Sequence, residues 1–428
     1  VDPSAGEAIG YKTLQSQVRA VANNIARAGV GDGEAVAYAM SNSPQTAVTI
    51  LGILYGGYLA TAINLVSGTS VIEYVLEHSE AKLLFVGKLD PVWDDMKKGV
   101  PADMKTVAFP LAPENHHEQW DSIIANHSPL VELSACPADE SATIIYTSGS
   151  TGKPKGAMIS FEAMYQCSRR LSELLKSHPG DRMLSYLPLA HVYERFVGQA
   201  QSLYAGFPLF FAETLDTFLQ DLQRTRPTLF ASVPRLWLKF QLGVFQKVPP
   251  EKLDRMLKIP ILKNIVKKKI LKQLGLDQVR FAASASAPIP KEVIEWYRRL
   301  GLELLEAYGM TENFGYSHLN RPGAIRSGYV GNPYPDVEHK ISDDGEILVK
   351  SPGSMKGYFK MPEESERAFT EDGFLNTGDL GSIDEMGRLK ITGRAKELFK
   401  TSKGKYVAPA PIENLLSNSP LVEACYVT

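Results

Sequence analysis

Residues 147–156, with the sequence TSGSTGKPKG, combine the kinds of groups that bind phosphate. The stretch offers hydroxyl side chains, backbone N–H groups at glycines that a ligand can approach closely, and the ammonium groups of two lysines. It follows the run IIYT at 144–147, whose β-branched and aromatic residues predict a buried strand. We therefore expect a phosphate-binding loop at a strand end, formed by Thr147, Ser148, Gly149, Ser150, Thr151, Gly152, Lys153 and Lys155.

This loop differs from the P-loop of nucleoside triphosphatases, which requires G-x-x-x-x-G-K-[ST] running directly into a helix. Only two residues separate Gly149 from Gly152, and Pro154 follows the first lysine where the P-loop has Ser or Thr. A turn rich in glycine and serine is often only a solvated loop. Here every residue from 148 to 156 except the proline is of a phosphate-handling type, which favours a binding function.

Two further clusters contain a carboxylate that could do chemistry, and the first of them lies at a predicted strand end. EAYGMTE at 306–312 follows the apolar run LELL and presents Thr311 and Glu312. A hydroxyl followed by a carboxylate suits an α-phosphate oxygen and a Mg²⁺ ion, although the same pair is also common in helix caps. FLNTGDLGSID at 374–384 holds Asp379 in a glycine-flanked turn, where aspartate is often only a turn former.

The motifs T-S-G-S-T-G-x-P-K-G, Y-G-x-T-E and T-G-D resemble the signatures of the acyl-adenylate-forming superfamily. That superfamily includes acyl-CoA synthetases, peptide-synthetase adenylation domains and firefly luciferase, and the resemblance covers nearly the whole chain. It implies an α/β fold with a large N-terminal domain at 1–394, made of parallel-rich sheets covered by helices and a β-rich subdomain at 320–394. Residues 395–428 would form a hinge and begin a small mobile C-terminal α+β domain.

The resemblance also implies roles for single residues. The loop would bind the β- and γ-phosphates of ATP, Tyr308 would stack on adenine, and Thr311 would contact the α-phosphate. Glu312 would hold Mg²⁺, Asp379 would bind both ribose hydroxyls, and Lys396 would lie at the hinge. The other positions that the resemblance implies for cofactor binding are Ser286, Ala287, Pro288, Gly309 and Arg394.

YLPLAHVYERF at 186–196 bears on the acid that is activated. Its P-L-x-H-x-x-E pattern resembles long-chain fatty acyl-CoA synthetases, so His191 joins Lys155, Thr311 and Glu312 as an implied catalytic position. Amino acid-activating domains carry an aromatic–Asp pair in this region, and the sequence has none, which favours an apolar acid. Trp237 in ASVPRLWLKF resembles a tryptophan that gates the acyl tunnel, although a core position explains a tryptophan equally well.

The resulting prediction is an ATP- and Mg²⁺-dependent fatty acid–CoA ligase. It would form acyl-adenylate and pyrophosphate, then a thioester with CoA and free AMP. Two alternatives stay open: an acyl- or aryl-adenylating enzyme that delivers to a carrier protein, and a non-catalytic acyl- or nucleotide-binding module. The binding-module alternative arises because members of the superfamily have a catalytic lysine near the far end of the small domain. The sequence stops at EACYVT without such a segment, and a chain ending there is expected to bind ATP but adenylate poorly.

The elements that must position these residues alternate along the chain. Helical segments at 13–28, 72–79, 161–177, 215–226 and 290–300 each precede a short apolar run, which predicts parallel sheets covered by helices. After about residue 320, short runs separated by Gly and Asp predict antiparallel hairpins. The apolar stretch 47–66 is long enough to span a bilayer, but its glycines favour a buried helix followed by a strand.

The net charge and the number of cysteines bear on whether the protein binds nucleic acid, forms disulfides or holds zinc. The net charge of −2 provides no basic excess for a nucleic acid, so none is expected. Three cysteines without C-x-x-C spacing indicate neither a disulfide framework nor a zinc site and fit the reducing cytoplasm.

IPILKNIVKKKILKQLG at 259–275 predicts a basic amphipathic helix. Such a helix either packs on the domain or makes a peripheral contact with an anionic membrane. The residues expected to share its apolar face are Ile261, Leu262, Ile265, Val266, Ile270 and Leu274. The residues expected on the opposite face are Lys263, Lys267, Lys268 and Lys272.

Overall fold

The computed structural model describes residues 8–89, 92–109, 112–113, 118–120, 122–123, 136–147, 153–395, 399–400, 406–407, 409, 412, 416, 425 and 427. The helices are α1 Tyr11–Arg27, α2 Pro44–Tyr55, α3 Thr69–Ser79, α4 Trp93–Met96, α5 Phe161–Leu175, α6 Gln201–Ala205, α7 Phe218–Thr225, α8 Pro234–Lys247, α9 Pro250–Lys258, α10 Pro260–Gln273, α11 Lys291–Leu300 and α12 Pro362–Arg367. Shorter turns of 3₁₀-helix span Lys97–Gly99 and Thr311–Asn313, and a π-helix spans Glu194–Ala200.

The strands are β1 Ala35–Ala39, β2 Leu59–Ala62, β3 Leu83–Val86, β4 Lys105–Ala108, β5 Glu118–Gln119, β6 Ser141–Thr147, β7 Lys155–Ser160, β8 Met183–Ser185, β9 Leu209–Phe211, β10 Leu229–Ser232, β11 Phe281–Ser284, β12 Leu304–Tyr308, β13 His318–Leu319, β14 Asn332–Pro333, β15 Glu338–Ile341, β16 Glu346–Lys350, β17 Gly357–Tyr358, β18 Leu375–Ile383, β19 Leu389–Arg394, β20 Phe399–Lys400 and β21 Tyr406–Val407. Helices and strands alternate as the sequence predicts.

The first large sheet has the strand order β17-β7-β6-β2-β1-β3-β4-β5 in the described residues. Its centre is parallel, since β2 and β3 flank β1 in the same direction and β6 runs parallel to β2. One end is antiparallel, where β7 pairs with both β6 and β17. Every residue of β1 is buried, as expected for a parallel strand with helices on both faces.

The second sheet has the order β10-β11-β12-β13-β14 in the described part of the chain. Strands β10, β11 and β12 are parallel, with Ser232 opposite Ser284 and Ser284 opposite Glu306. Their carboxyl ends therefore meet at one edge of the sheet. Ligands of parallel α/β sheets bind beyond this kind of edge, and the segments 286–288 and 308–312 both leave the sheet there.

The region after residue 320 contains the antiparallel sheet β15-β16-β18-β19. Its pairings confirm the antiparallel hairpins expected after about residue 320. Asp379 in β18 is the register partner of Arg394 in β19, which brings two predicted site residues side by side. The domain boundary near residue 394 stays a prediction, and Lys396 lies outside the described residues.

The apolar stretch 47–66 is a buried helix followed by a strand, as predicted. The Ser43 hydroxyl accepts a hydrogen bond from the Thr46 N–H, and α2 begins at Pro44 and is followed by β2. Gly52 allows α2 to pack tightly on α1, because a Cβ there would lie 2.5 Å from Val21 Cγ1. Among the described residues, no helix combines the length and the apolar character needed to cross a bilayer.

The prediction that six apolar residues of 259–275 share one face is wrong, because the structure divides them between a buried and an exposed line of α10. Val266 and Ile270 are buried, whereas Ile261 is 82% exposed and Ile265 is 59% exposed. Residues four apart follow one line along a helix, so 262, 266 and 270 form one line and 261 and 265 form another, about 100° away. Only the first line faces the domain.

Candidate active site

The strands that flank the predicted phosphate-binding loop are paired with each other. β6 ends at Thr147 and β7 begins at Lys155, and these two residues are register partners in the antiparallel ladder. The predicted loop residues between them, Ser148, Gly149, Ser150, Thr151 and Gly152, lie outside the described residues. The ladder therefore sets where this segment leaves and rejoins the sheet.

Helix α3 contacts residues on both sides of this segment. On the β6 side, the Tyr146 hydroxyl lies 2.9 Å from Nδ1 of His78. On the β7 side, the Lys153 ammonium lies 5.3 Å from the ring centre of Tyr74, within cation–π distance. Burial, followed by the nearby Lys360 ammonium, lowers the pKa of His78, which keeps its ring neutral near pH 7.

Lys155 is held by two neighbours that the sequence did not single out. Its ammonium forms an ion pair with Glu364 and lies 5.1 Å from the ring centre of Tyr358. Its side chain is only 14% exposed. Tyr358 reaches this place because β17 pairs with β7, opposite Ala157.

Tyr358 also connects β7 to Glu312. The Tyr358 hydroxyl donates to Oε1 of Glu312 at 2.9 Å. Glu312 is buried in the 3₁₀ turn that follows β12, and Thr311 beside it is partly exposed. Burial, followed by the Glu312 charge, raises the pKa of Tyr358, so its hydroxyl remains a donor throughout the physiological range.

The turn after β12 depends on Gly309. A Cβ at this position would lie 2.4 Å from the carbonyl oxygen of Gly315, so a larger residue would force the backbone apart. The Met310 N–H donates to Oδ1 of Asn313 at 3.0 Å and closes the turn. Gly309 thus shapes the segment that carries Thr311 and Glu312.

Asp379 lies between Tyr308 and Arg394. The Tyr308 hydroxyl donates to Asp379 Oδ2 at 2.7 Å, and Arg394 Nε lies 3.2 Å from Oδ1. Tyr308 and Asp379 are buried, while Arg394 is exposed. Burial, followed by the Asp379 charge, raises the pKa of Tyr308 well above its usual range. The hydrogen bond therefore persists at neutral pH and fixes the Tyr308 ring.

These contacts form one continuous series across the molecule, which we call the site network: Lys155, Glu364, Tyr358, Glu312, Tyr308, Asp379 and Arg394. The only step along the backbone is the one from Tyr308 to Glu312, four residues later. The network joins the three motifs predicted from sequence. Tyr358 and Glu364 were missed, since no local pattern marks a residue whose place depends on β17 pairing with β7.

The segment expected to face adenine lies at the same edge of the second sheet. Ser286, Ala287 and Pro288 are exposed directly after β11, the parallel neighbour of β12. Ser286 has a φ of 72°, in the left-handed region that residues other than glycine seldom adopt. Such backbone strain concentrates at functional sites, which is in keeping with the predicted role.

No hydrogen bond or ion pair of the described residues joins His191 to the site network. His191 is exposed after β8. Glu194, in the same motif, is fully buried at the start of the π-helix and accepts a hydrogen bond from the Leu187 N–H at 3.3 Å. Burial raises the pKa of Glu194 to about 7. The catalytic role of His191 stays a prediction.

Trp237 is completely buried in α8. Its indole N–H donates to the Ala283 carbonyl at 3.3 Å, and its own carbonyl accepts from the Tyr297 hydroxyl at 2.8 Å. Its ring packs edge-on against Phe230 and Tyr297, with centroids 5.3 and 5.0 Å apart. These contacts favour a core position, and the gate role stays a prediction.

We expect Trp237→Ala to lower the free energy of unfolding by about 3–5 kcal/mol, because it removes a large buried ring and leaves a cavity. Trp237→Phe should cost less, since most of the packing remains. Both are measured by denaturant unfolding, together with the ratio of long- to short-chain acid activity. A changed ratio without a loss of stability would contradict the core assignment.

Glu306 is a buried carboxyl in β12 and should make the stability of the protein depend on pH. Its Oε2 has no hydrogen-bond partner among the described residues. Burial raises the pKa of Glu306 from 4.5 to about 8, against the opposing effect of backbone hydrogen bonds at Gly328 and Ile289. Between these pH values the native state retains a proton that the unfolded state releases. Stability should therefore fall as the pH rises from 4.5 to 8.

We expect Glu306→Gln to remove this pH dependence, because an amide stays neutral. The unfolding free energy of the variant relative to the parent should rise by up to about 1.4 kcal/mol per pH unit between pH 4.5 and 8. It should be constant below pH 4.5. Glu385→Gln, at an exposed position, is the control. A difference that is the same at pH 5 and pH 8 would show that Glu306 ionises normally.

The chain is similar in sequence to known AMP-binding enzymes. A sequence model described as AMP-binding enzyme matches residues 1–359. The long-chain-fatty-acid–CoA ligase FadD15 of Mycobacterium bovis is 30% identical over 447 aligned positions, covering 96% of this chain and 74% of that protein. Long chain acyl-CoA synthetase 7 of Arabidopsis thaliana is 28% identical, with coverage of 97% and 66%.

Solved structures confirm the predicted α/β fold class. ATP-bound MatB from Rhodopseudomonas palustris superposes with a TM-score of 0.78 at 29% identity, covering 97% of this chain and 79% of that one. The anthranilate CoA ligase AuaEII in complex with anthranoyl-AMP superposes with a TM-score of 0.83 at 22% identity, covering 99% and 80%. The second likeness concerns the fold alone.

Proposed function

Because the chain belongs to the AMP-binding enzyme family, whose sequence model matches residues 1–359, we propose that it is an AMP-forming acid–thiol ligase that joins a fatty acid to CoA. The observation that carries the proposal is the site network. It connects a cation beside the predicted phosphate loop to a buried carboxylate and then to a second carboxylate suited to ribose.

In this proposal, Asp379 binds the ribose and Tyr308 packs against the adenine. An ionised carboxylate is an acceptor-only group with lone pairs to spare after the Tyr308 and Arg394 contacts, so it can also accept from ribose hydroxyls. The hydrogen bond from Tyr308 holds both the carboxylate and the aromatic ring in place. The ring and the carboxylate therefore orient the nucleoside before any reaction occurs.

Lys155 and the predicted loop take the phosphates. A largely buried lysine ammonium at the start of β7 supports the negative charge that develops as pyrophosphate leaves. Glu364 is paired with this ammonium, and the three donors of an ammonium allow it to bind a phosphate oxygen as well. The Tyr358 ring, with its centre 5.1 Å from the ammonium, helps to hold it in place.

Glu312 fits the Mg²⁺ ion that the resemblance of the motifs implies. It offers a buried carboxylate oxygen, the hard ligand that Mg²⁺ prefers, and the Tyr358 hydroxyl holds the other end of the group in a fixed orientation. When bound, the ion would neutralise phosphate charge at the reacting phosphorus. Thr311, partly exposed beside Glu312, is placed to contact the α-phosphate.

A fatty acid is the proposed substrate for two reasons. The P-L-x-H-x-x-E stretch resembles long-chain enzymes, and two of the similar proteins carry long-chain acyl-CoA ligase or synthetase names. CoA is proposed as the acceptor on the same grounds. The acyl- or aryl-adenylating enzyme that serves a carrier protein remains the alternative.

The test is pyrophosphate release by the full-length protein with a panel of free acids from acetate to oleate, including benzoate, followed by mass analysis of the thioester. We expect release with long-chain acids and an acyl-CoA product. Release with benzoate alone, or a thioester formed only on a pantetheine-loaded carrier protein, would favour the alternative enzyme. ATP binding without any pyrophosphate release would indicate a binding module.

A further inference from the structure

Helix α10 exposes bulky aliphatic side chains to solvent. Ile261 and Ile265 lie one turn apart and are 82% and 59% exposed, and Ile259, just before the helix, is 52% exposed. Isolated exposed aliphatic residues are ordinary, but three on one short segment form a small apolar patch. The neighbouring line of the helix, with Val266 and Ile270 buried, holds it on the domain.

The same segment carries an uncompensated positive charge. Six lysines and no acidic residue occur between 258 and 273. In the described part of the chain, none of these lysines forms an ion pair. The nearest acidic residues on either side are already paired, Asp254 with Arg299 at 2.7 Å and Asp277 with Arg226 at 2.5 Å.

The lysines lie beside the apolar patch and continue its line along the helix. Lys268 and Lys272 follow Ile261 and Ile265 at the spacing of successive helical turns, so the outward stripe changes from apolar to basic. Lys269 and Lys272 also line an open cavity of about 430 Å³ with Arg226. Burial, followed by the Lys263 charge, lowers the pKa of Lys267.

We propose that the outward stripe of α10 docks on an anionic lipid bilayer, with Ile259, Ile261 and Ile265 inserted at the interface and the lysines against the headgroup phosphates. The positive charge of the stripe favours an anionic bilayer as the binding partner. Bulky aliphatic residues beside unpaired lysines match the interfacial region of such a membrane. A protein partner with a neutral apolar surface would leave the lysines without counter-charges.

This inference is independent of the proposed ligase activity. It concerns a surface formed by α10 and the end of α9, with none of the site network residues in it. If both hold, the ligase would work at the surface where water-insoluble fatty acids are concentrated. A negative result for membrane docking would not contradict the ligase activity, and the reverse also holds, because vesicle binding and pyrophosphate release are measured separately.

The experiment is co-sedimentation of the protein with vesicles of phosphatidylcholine, with and without phosphatidylglycerol. We expect binding to the phosphatidylglycerol vesicles that weakens with salt, and far weaker binding to phosphatidylcholine alone. Ile261→Glu combined with Ile265→Glu should lower the partition coefficient at least about tenfold. Lys268→Gln, Lys269→Gln and Lys272→Gln together should lower it by about tenfold to a hundredfold.

The matched control replaces Val66 and Met386, which are also exposed, by glutamate and so adds the same charge elsewhere. It should bind vesicles like the parent, and equal thermal midpoints should show that all variants are folded. Equal loss of binding in the control and the α10 variant would overturn the proposal. So would the absence of binding to phosphatidylglycerol vesicles, or an α10 variant that dissociates a dimer in sedimentation velocity while still binding vesicles.

Discussion

Glu312→Gln is expected to slow pyrophosphate release by about 10²–10³-fold without unfolding the protein. Gln keeps the shape of the side chain and can still accept from the Tyr358 hydroxyl, so the buried turn after β12 should survive. The change removes the negative charge that is proposed to face Mg²⁺ next to the reacting phosphorus. The measurement is the initial rate of pyrophosphate release across a series of Mg²⁺ concentrations.

Two companion variants separate charge from position. Tyr358→Phe removes the hydrogen bond to Glu312 but keeps the carboxylate, so we expect a smaller loss of about tenfold. Glu385→Gln removes an exposed carboxylate and should leave the rate unchanged. A Glu312→Gln enzyme that releases pyrophosphate at the parent rate when Mg²⁺ is limiting would exclude the metal-holding role.

Asp379→Asn is expected to weaken ATP binding by about 10–100-fold, as measured by isothermal titration calorimetry. A charge-assisted hydrogen bond contributes about 1.5–3 kcal/mol, and asparagine keeps one of the two acceptor oxygens proposed to bind the ribose, so the equivalent of one such bond should be lost. The variant also loses the ion pair with Arg394, which is exposed and therefore contributes little. The main effect should fall on the nucleotide.

A deoxy nucleotide makes this test specific. The parent should bind ATP more tightly than 2′,3′-dideoxy-ATP, and Asp379→Asn should lose most of that preference, because the partner of the hydroxyls has changed. Asp343→Asn, at an exposed position, should retain it. If the variant distinguishes the two nucleotides as well as the parent does, the ribose is bound elsewhere.

Local sequence was enough to predict where the candidate site residues leave the sheets. Thr147 and Tyr308 each end an apolar, β-prone run, and each is the last residue of its strand. Asp379, which the sequence suggested for a glycine-flanked turn, instead lies inside β18. Strand and turn propensities depend on neighbours a few residues away, so a single sequence carries them. The alternation of helix and strand, and hence the α/β class, follows from the same short-range patterns.

Long-range pairing decided the partners of those residues. Tyr358 contacts Lys155 across about two hundred positions of sequence, because β17 adds to the edge of the first sheet beside β7. No local pattern in the region around Tyr358 foretells this, and the same is true of Glu364. A short strand pairs wherever an open edge and a matching register exist, and both are properties of the assembled sheet.

Burial was likewise decided by the tertiary structure. The sequence determined that α10 would be a helix with apolar and basic residues, but the orientation of that helix on the domain buried Val266 and left Ile261 outside. Glu306 gained its raised pKa in the same way, because the elements packed around β12 exclude water from its carboxyl. Periodicity specifies which residues share a line along a helix or strand, whereas the packing of neighbouring elements selects the line that water no longer reaches.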